Sequence, residues 1–299
     1  MINLFIIAIA FAYSFSSDAE NSNAPGTSTG VHPDSYLTNH QFKGRVREIE
    51  ETCYNVKITN EDTILNFEFG RNLMIRYGRG STILEFDKSG NLSITKWYCD
   101  QEDSLTTAYF YDDQRLTKKT TAGILGWEEY RYTYDKEGRL TAESWDDGLQ
   151  RLEYTYDGVK KTMFFWVSKY QGQSKPDLVQ KEVWTTDSLK RSQTHIKVVP
   201  VEQQNGELEY IQSDSIIYNY NEDWQENKLE IYRGSKSILL RKKEYNEFGY
   251  VVREISTEGT ETMVLDFEYE YDENQNWIKR TIYEGDIPLH VTTRKIEYY

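Results

Sequence analysis

Cysteine is nearly absent from this chain of 299 residues: Cys53 and Cys99 are the only two. They lack a CxxC spacing, which excludes the usual zinc clusters and dithiol redox motifs. In an exported chain the two either bridge or remain separate thiols, and spacing alone leaves both readings open. Histidine is scarce as well, and His32, His40, His195 and His290 show neither HExxH nor any other ligand spacing. No GxSxG elbow, phosphate-binding Walker loop or GxGxxG after a strand is present, and neither cysteine has an identifiable base partner. Basic runs are also missing, and a net charge of −14 repels nucleic acid. These absences lead to the expectation of a protein that is not an enzyme, with no catalytic residue, metal or cofactor.

Apart from Ile2 to about Phe15, the chain has no long apolar run. That run fits the core of a secretory signal and is short for a membrane span. Residues 1–17 are therefore read as a signal peptide and 18–40, polar and small, as a flexible linker ahead of a folded domain over 41–299. No Lys or Arg precedes the apolar run, so a retained anchor is the alternative, and only then would the chain engage a membrane. No cysteine follows closely, so the lipoprotein pattern is missing.

Tyrosine is plentiful, with 24 residues, and its flat apolar body and polar tip suit a half-buried sheet. In YTYDKEGRL, from Tyr132, the alternation puts Tyr132 and Tyr134 on one face of a strand. Asp135 starts a turn, and Gly138 supplies a left-handed residue that closes it. The spacing predicts Tyr134 opposite Leu140, Tyr132 opposite Ala142 and Thr133 facing Thr141. The same reading sets Phe86 against Leu92, Leu84 against Ile94, Tyr271 against Trp277 and Tyr245 against Val251. Weaker copies start at Tyr109, Tyr154 and Tyr218, the last with a longer loop. The turn residues fall at 87, 112, 135, 157, 221, 246 and 272, and the one long step has room for about two further units, with a hairpin around Asn205 and Gly206. This period predicts an all-β antiparallel meander of repeated hairpins, forming a curved extended sheet, an open spiral or a partial barrel. At the front, GRVREI reads as half a unit without its first strand, a cap whose charges guard an open edge.

The order Tyr132, Tyr134, Asp135, Gly138, Arg139, Leu140 resembles the YD repeat, or Rhs-type repeat, of bacterial envelope and toxin-associated proteins. The resemblance spans Leu84 to about Asp157 and Tyr218 to Tyr299, and the chain is most similar to small exported bacterial members with a handful of units. It implies a short curved sheet and an envelope location. Encapsulation of a toxin, the role of the large members, requires many more units and an effector domain. The motif carries no ligand residues to transfer.

Two indoles stand out as ligand-binding candidates. Trp97 and Trp145 each lie ten residues after a turn aspartate, whereas Leu92 and Leu140 lie five after it. On a straight strand that difference puts both indoles on the polar face, able to stack on a sugar or seat a peptide. Pairs of carboxylates, such as Asp146 and Asp147 in SWDDGL, and the oxygen-rich DENQN and NEDWQEN, read more simply as turn residues. The expected function is an exported or periplasmic binding or scaffolding module of the bacterial envelope, with an unknown protein or glycan as partner. The alternatives are a carbohydrate-active enzyme on the same sheet and an accessory of a toxin or secretion system.

Overall fold

The structure, a computed structural model, describes residues 42–58, 63–66, 81–98, 104–123, 126–168, 176–202 and 208–299. The expected signal segment 1–17, the linker 18–40, Cys99 and the turn at Asn205 and Gly206 lie outside them. In chain order the strands are β1 Val46–Ile58, β2 Thr63–Asn66, β3 Ser81–Phe86, β4 Leu92–Tyr98, β5 Ser104–Asp112, β6 Arg115–Gly123 and β7 Gly126–Tyr134. They continue as β8 Leu140–Trp145, β9 Gln150–Asp157, β10 Lys160–Val167, β11 Asp177–Asp187, β12 Ser192–Glu202 and β13 Leu208–Tyr220. The last six are β14 Glu226–Arg233, β15 Lys236–Tyr245, β16 Val251–Glu258, β17 Glu261–Tyr271, β18 Trp277–Glu284 and β19 Ile287–Tyr298.

From β3 to β19 each strand pairs antiparallel with the next, and β1 then pairs with both β19 and β3. The meander therefore closes into a ring of 18 strands, and β2 extends only the far end of β1. The expectation of an open spiral or partial barrel gives way to a complete one. Closure also revises the reading of the N-terminal segment as a guarded edge. Strand β1 has a partner on either side, and the first strand that its unit lacked comes from the other terminus. Tyr298 pairs with Val46 and the Tyr299 amide donates to the Arg45 carbonyl at 2.9 Å, as the Asp135 amide does to Arg139. Gly44, with φ +84°, takes the left-handed position that Gly138 holds at +81°. One repeat unit is thus split between the chain's two described ends.

Five turns at one end of the barrel share a single construction. In each, the side-chain oxygen of an Asp or Asn accepts backbone amides further along the loop, as Asp87 does from Ser89 at 2.8 Å and Asn91 at 2.9 Å. Asp135, Asn221, Asn246 and Asp272 repeat it. The fourth loop residue is left-handed whether or not it is glycine: φ is +60° at Trp224 and +65° at Gln275. The unit at Tyr218 consequently has the same loop as the others instead of the longer one its sequence indicated. The interval 157–221 holds one further unit, turning at Asp187, in place of the two its length indicated, because its strands run to 11, 11 and 13 residues.

A β-bulge follows each of these five loops, and it resets the register. Phe86↔Leu92, Tyr134↔Leu140, Tyr245↔Val251 and Tyr271↔Trp277 pair as expected. One step further the alignment slips, so Leu84 meets Thr95 in place of Ile94 and Tyr132 meets Glu143 in place of Ala142. The Thr133 and Thr141 hydroxyls still touch, at 3.2 Å. An extra residue in one strand moves every later side chain to the other face.

Tracing the corrected alternation around the ring separates two faces. The inner face is apolar at the looped end, where Leu116, Tyr132 and Leu140 form one buried cluster and Val46, Ile49, Phe86 and Leu92 another. Tyrosine hydroxyls complete this layer. Tyr134 donates to the Leu116 carbonyl at 2.7 Å, Tyr156 to Leu140 at 2.9 Å, Tyr245 to Glu226 at 2.5 Å and Tyr269 to Val251 at 2.7 Å. Each ring buries its body while its tip satisfies a carbonyl on the preceding strand, which phenylalanine could not do. At the opposite end the inner face meets water, with Leu105 41% and Ile211 43% exposed. The outer face carries ion pairs between neighbouring strands, such as Lys96–Glu85, Lys118–Glu129, Arg253–Asp266 and Lys279–Glu270.

Candidate functional site: the aromatic and charged inner face

The bulges decide where the two candidate indoles point. Because parity flips just after each loop, Trp97 and Trp145 stand on the inner face, not on the polar outer one. Trp97 lies opposite Thr82 on β3 and Leu105 on β5, and Trp145 opposite Gln150 on β9. Both are half-buried, and both lie toward the end away from the Asx loops. They are on β4 and β8, four strand spacings or roughly 19 Å apart along the sheet. One sugar ring or one side chain does not span them.

The two sites differ in their surroundings. The Trp145 indole is stacked between Tyr130, at 5.7 Å between centroids and 29°, and Phe165, at 5.8 Å and 10°. Offset stacks of this kind rigidify a surface but occupy the ring faces. Trp97 sits among threonines, with Thr82 and Leu105 beside it and a Thr107–Thr121 hydroxyl contact of 3.2 Å on the neighbouring strands.

Below Trp145 lies a cluster of titratable groups that the sequence reading did not single out. The Tyr154 hydroxyl donates to Glu143 at 2.5 Å, and burial followed by the Glu143 charge pushes the phenol far above its ordinary range. Glu182, 1% exposed, is 2.9 Å from His195 Nε2 and also takes the Gln180 amide. The Trp184 ring lies flat on His195 at 4.5 Å and 6°. Lys161 Nζ sits 4.4 Å from the Tyr154 ring centroid and 5.3 Å from that of Trp184. Burial lowers its pKa, against the opposing pull of Glu143 and Glu182.

These residues were hard to find because β10 and β11 carry both residue classes on both faces. Lys161, Met163 and Phe165 point inward while Thr162, Phe164 and Trp166 point outward. A parity signal needs one polar and one apolar side, and these strands have neither.

Further round the ring, Glu226 accepts from Arg241 at 2.9 Å and lies 3.4 Å from Lys243. Glu51 accepts from Arg294 at 2.7 Å, and the Arg294 guanidinium lies 3.4 Å from the Trp277 centroid. Cys53 Sγ is 3.5 Å from the Thr292 hydroxyl, and burial pushes its thiol up. Buried ion pairs of this type add little net stability but penalise any register that leaves one charge alone. The oxygen-rich turns do structural work: Asp272 and Asn221 each spend Oδ1 on two loop amides.

No protein-family model matches the chain, and no curated protein matches it. Among solved structures, a porin-like protein from Bacteroides uniformis is 9% identical with a TM-score of 0.39, covering 85% of this chain and 99% of its own. A Bacteroides fragilis protein of unknown function is 12% identical with a TM-score of 0.26, covering 46% of this chain and 88% of its own. Likeness this loose carries no argument about activity.

Proposed function

We propose that this protein is an exported, non-enzymatic binding module of the bacterial envelope, with an extended glycan as its ligand. The observation that supports the reading is the convergence of Trp97 and Trp145 on one end of one face. Hydroxyls, an amide and carboxylates surround them there. An indole beside threonine hydroxyls can stack on the apolar face of a sugar while its neighbours exchange hydrogen bonds with the ring hydroxyls. Trp97 is the stacking platform, and Trp145, its ring faces taken by Tyr130 and Phe165, offers an extended ligand only its edge further along the same face. Glu143 and Glu182 are each already held by a donor, which favours binding over the two-carboxylate chemistry of glycoside hydrolysis.

Export rests on the Ile2 to Phe15 run. The outward-facing ion pairs support a barrel standing in water, since a lipid-facing wall needs an apolar band and each mid-wall Lys or Arg costs about 2–4 kcal/mol there. The test is a glycan array probed with the wild-type protein, Trp97→Ala and Trp145→Ala. Binding that falls most for Trp97→Ala, whose ring is not part of the stack, supports the reading. Silence of the wild type across the array overturns it.

A further inference from the structure

Lys161 is a lysine held away from its usual partners. Among the described residues its ammonium has no hydrogen-bond or ion-pair acceptor within reach, and its close neighbours are the Tyr154 and Trp184 rings at 4.4 and 5.3 Å from centroid to Nζ. The two nearby carboxylates have other commitments, Glu143 to Tyr154 and Glu182 to His195 and Gln180. A ring face replaces only part of the hydration an ammonium loses. Its hold on the third proton is therefore weakened, and the lowered pKa has burial as its leading cause. The side chain nevertheless keeps some solvent contact. A desolvated lysine with partial access, seated on ring faces and without a direct acceptor, is the kind of arrangement by which enzymes turn lysine into a carbonyl nucleophile.

We infer that Lys161 is a covalent modification site that captures small neutral aldehydes, such as the open-chain form of an aldose, as an imine. The Nζ lone pair attacks the carbonyl carbon, forming the C–N bond, and a proton moves from nitrogen to the former carbonyl oxygen. Loss of that oxygen as water, with the second nitrogen proton, leaves the C=N bond, so amine and aldehyde give imine and water with no oxidant. Glu143 and Glu182 set the selectivity, because their negative potential disfavours an anionic aldehyde. This inference stands apart from the glycan reading, since it requires neither Trp97 nor Trp145.

The experiment treats the full chain at pH 7 with glycolaldehyde and cyanoborohydride, which reduces any imine to a stable amine, and maps the labelled lysines by peptide mass spectrometry. Lys161 is expected to label several-fold faster than the exposed Lys136, because burial lowers its pKa and Lys136 stands in water. Glyoxylate, an anionic aldehyde, should label it more slowly, and Lys161→Arg should lose this adduct alone. Glu143→Gln removes a charge that holds the Lys161 proton, so labelling at Lys161 should speed up. Labelling no faster than at Lys136, or no acceleration in Glu143→Gln, overturns the inference, and the second readout decides even if Lys161→Arg does not fold.

Discussion

The side-chain amide of Asn276 pairs with both backbone groups of Lys43, a residue 233 positions away. Its Oδ1 accepts the Lys43 N–H at 2.7 Å and its Nδ2 donates to the Lys43 carbonyl at 2.7 Å. Asn276 is fully buried, and Nδ2 also reaches the Tyr298 hydroxyl at 2.7 Å. A side chain thus imitates one rung of a β-ladder and fastens the entry to β1 onto the β17–β18 loop, beside the seam where the ring closes.

Asn276→Ala should therefore weaken the closure and not one hairpin alone. Two backbone groups of Lys43 lose a partner in a covered position, at about 1–3 kcal/mol for each group left unsatisfied. Urea unfolding should show a lower midpoint with an unchanged slope. A variant as stable as the wild type would show that the clasp is ornamental.

The tyrosine hydroxyls make a graded prediction. Tyr134→Phe removes one hydrogen bond to a carbonyl and should cost about 1 kcal/mol. Tyr154→Phe strips a donor from the Glu143 carboxylate and should cost more, about 2 kcal/mol, because the partner left behind is charged. Chemical denaturation of both variants checks the order, and the reverse order would contradict it.

The Asx loops predict changes of opposite sign at equivalent positions. Gly138 has φ +81°, and an added Cβ would lie 2.9 Å from the Arg115 guanidinium, so Gly138→Ala should destabilise by about 1–2 kcal/mol. Gln275 has φ +65° without being glycine, so Gln275→Gly should stabilise by about 1 kcal/mol. Thermal melts compared in one buffer would reveal both shifts.

Alkaline stability follows from the phenols. Tyr134 and Tyr156 are each pushed up to about 12, chiefly by burial, and Tyr154 is raised further. The fold holds these groups protonated while the unfolded chain starts to lose the protons near pH 10. Their contribution is present in full below pH 10 and is lost as pH climbs toward 12. Tyrosinate absorbance should rise cooperatively with unfolding in that window. A gradual rise with the fold intact would contradict the burial of these rings.

Local chemistry was legible from the residues alone. Asp135 and Gly138 announced a turn, Tyr134 and Leu140 announced the first pair beyond it, and the recurrence of that unit announced a meander. Positions within two residues of a turn depend on backbone geometry that the turn residues dictate. The candidate site was only half legible. Trp97 and Trp145 were assigned to the wrong face, because the bulge after each loop is a hydrogen-bonding irregularity with no residue type of its own. Glu143, Lys161 and Glu182 were not singled out and His195 read as one of four scattered histidines, since only the strand order brings residues 143 to 195 onto one patch.

The amino-acid sequence by itself determined the hairpin as the building unit, its turn chemistry and the tyrosine-rich side to be buried, because these are short-range consequences of side-chain alternation and loop geometry. The tertiary structure alone decided that the ring closes and which way each indole faces. Closure joins Val46 to Tyr298 across nearly the whole chain, and facing depends on parity accumulated through every bulge, so neither is written in any local stretch.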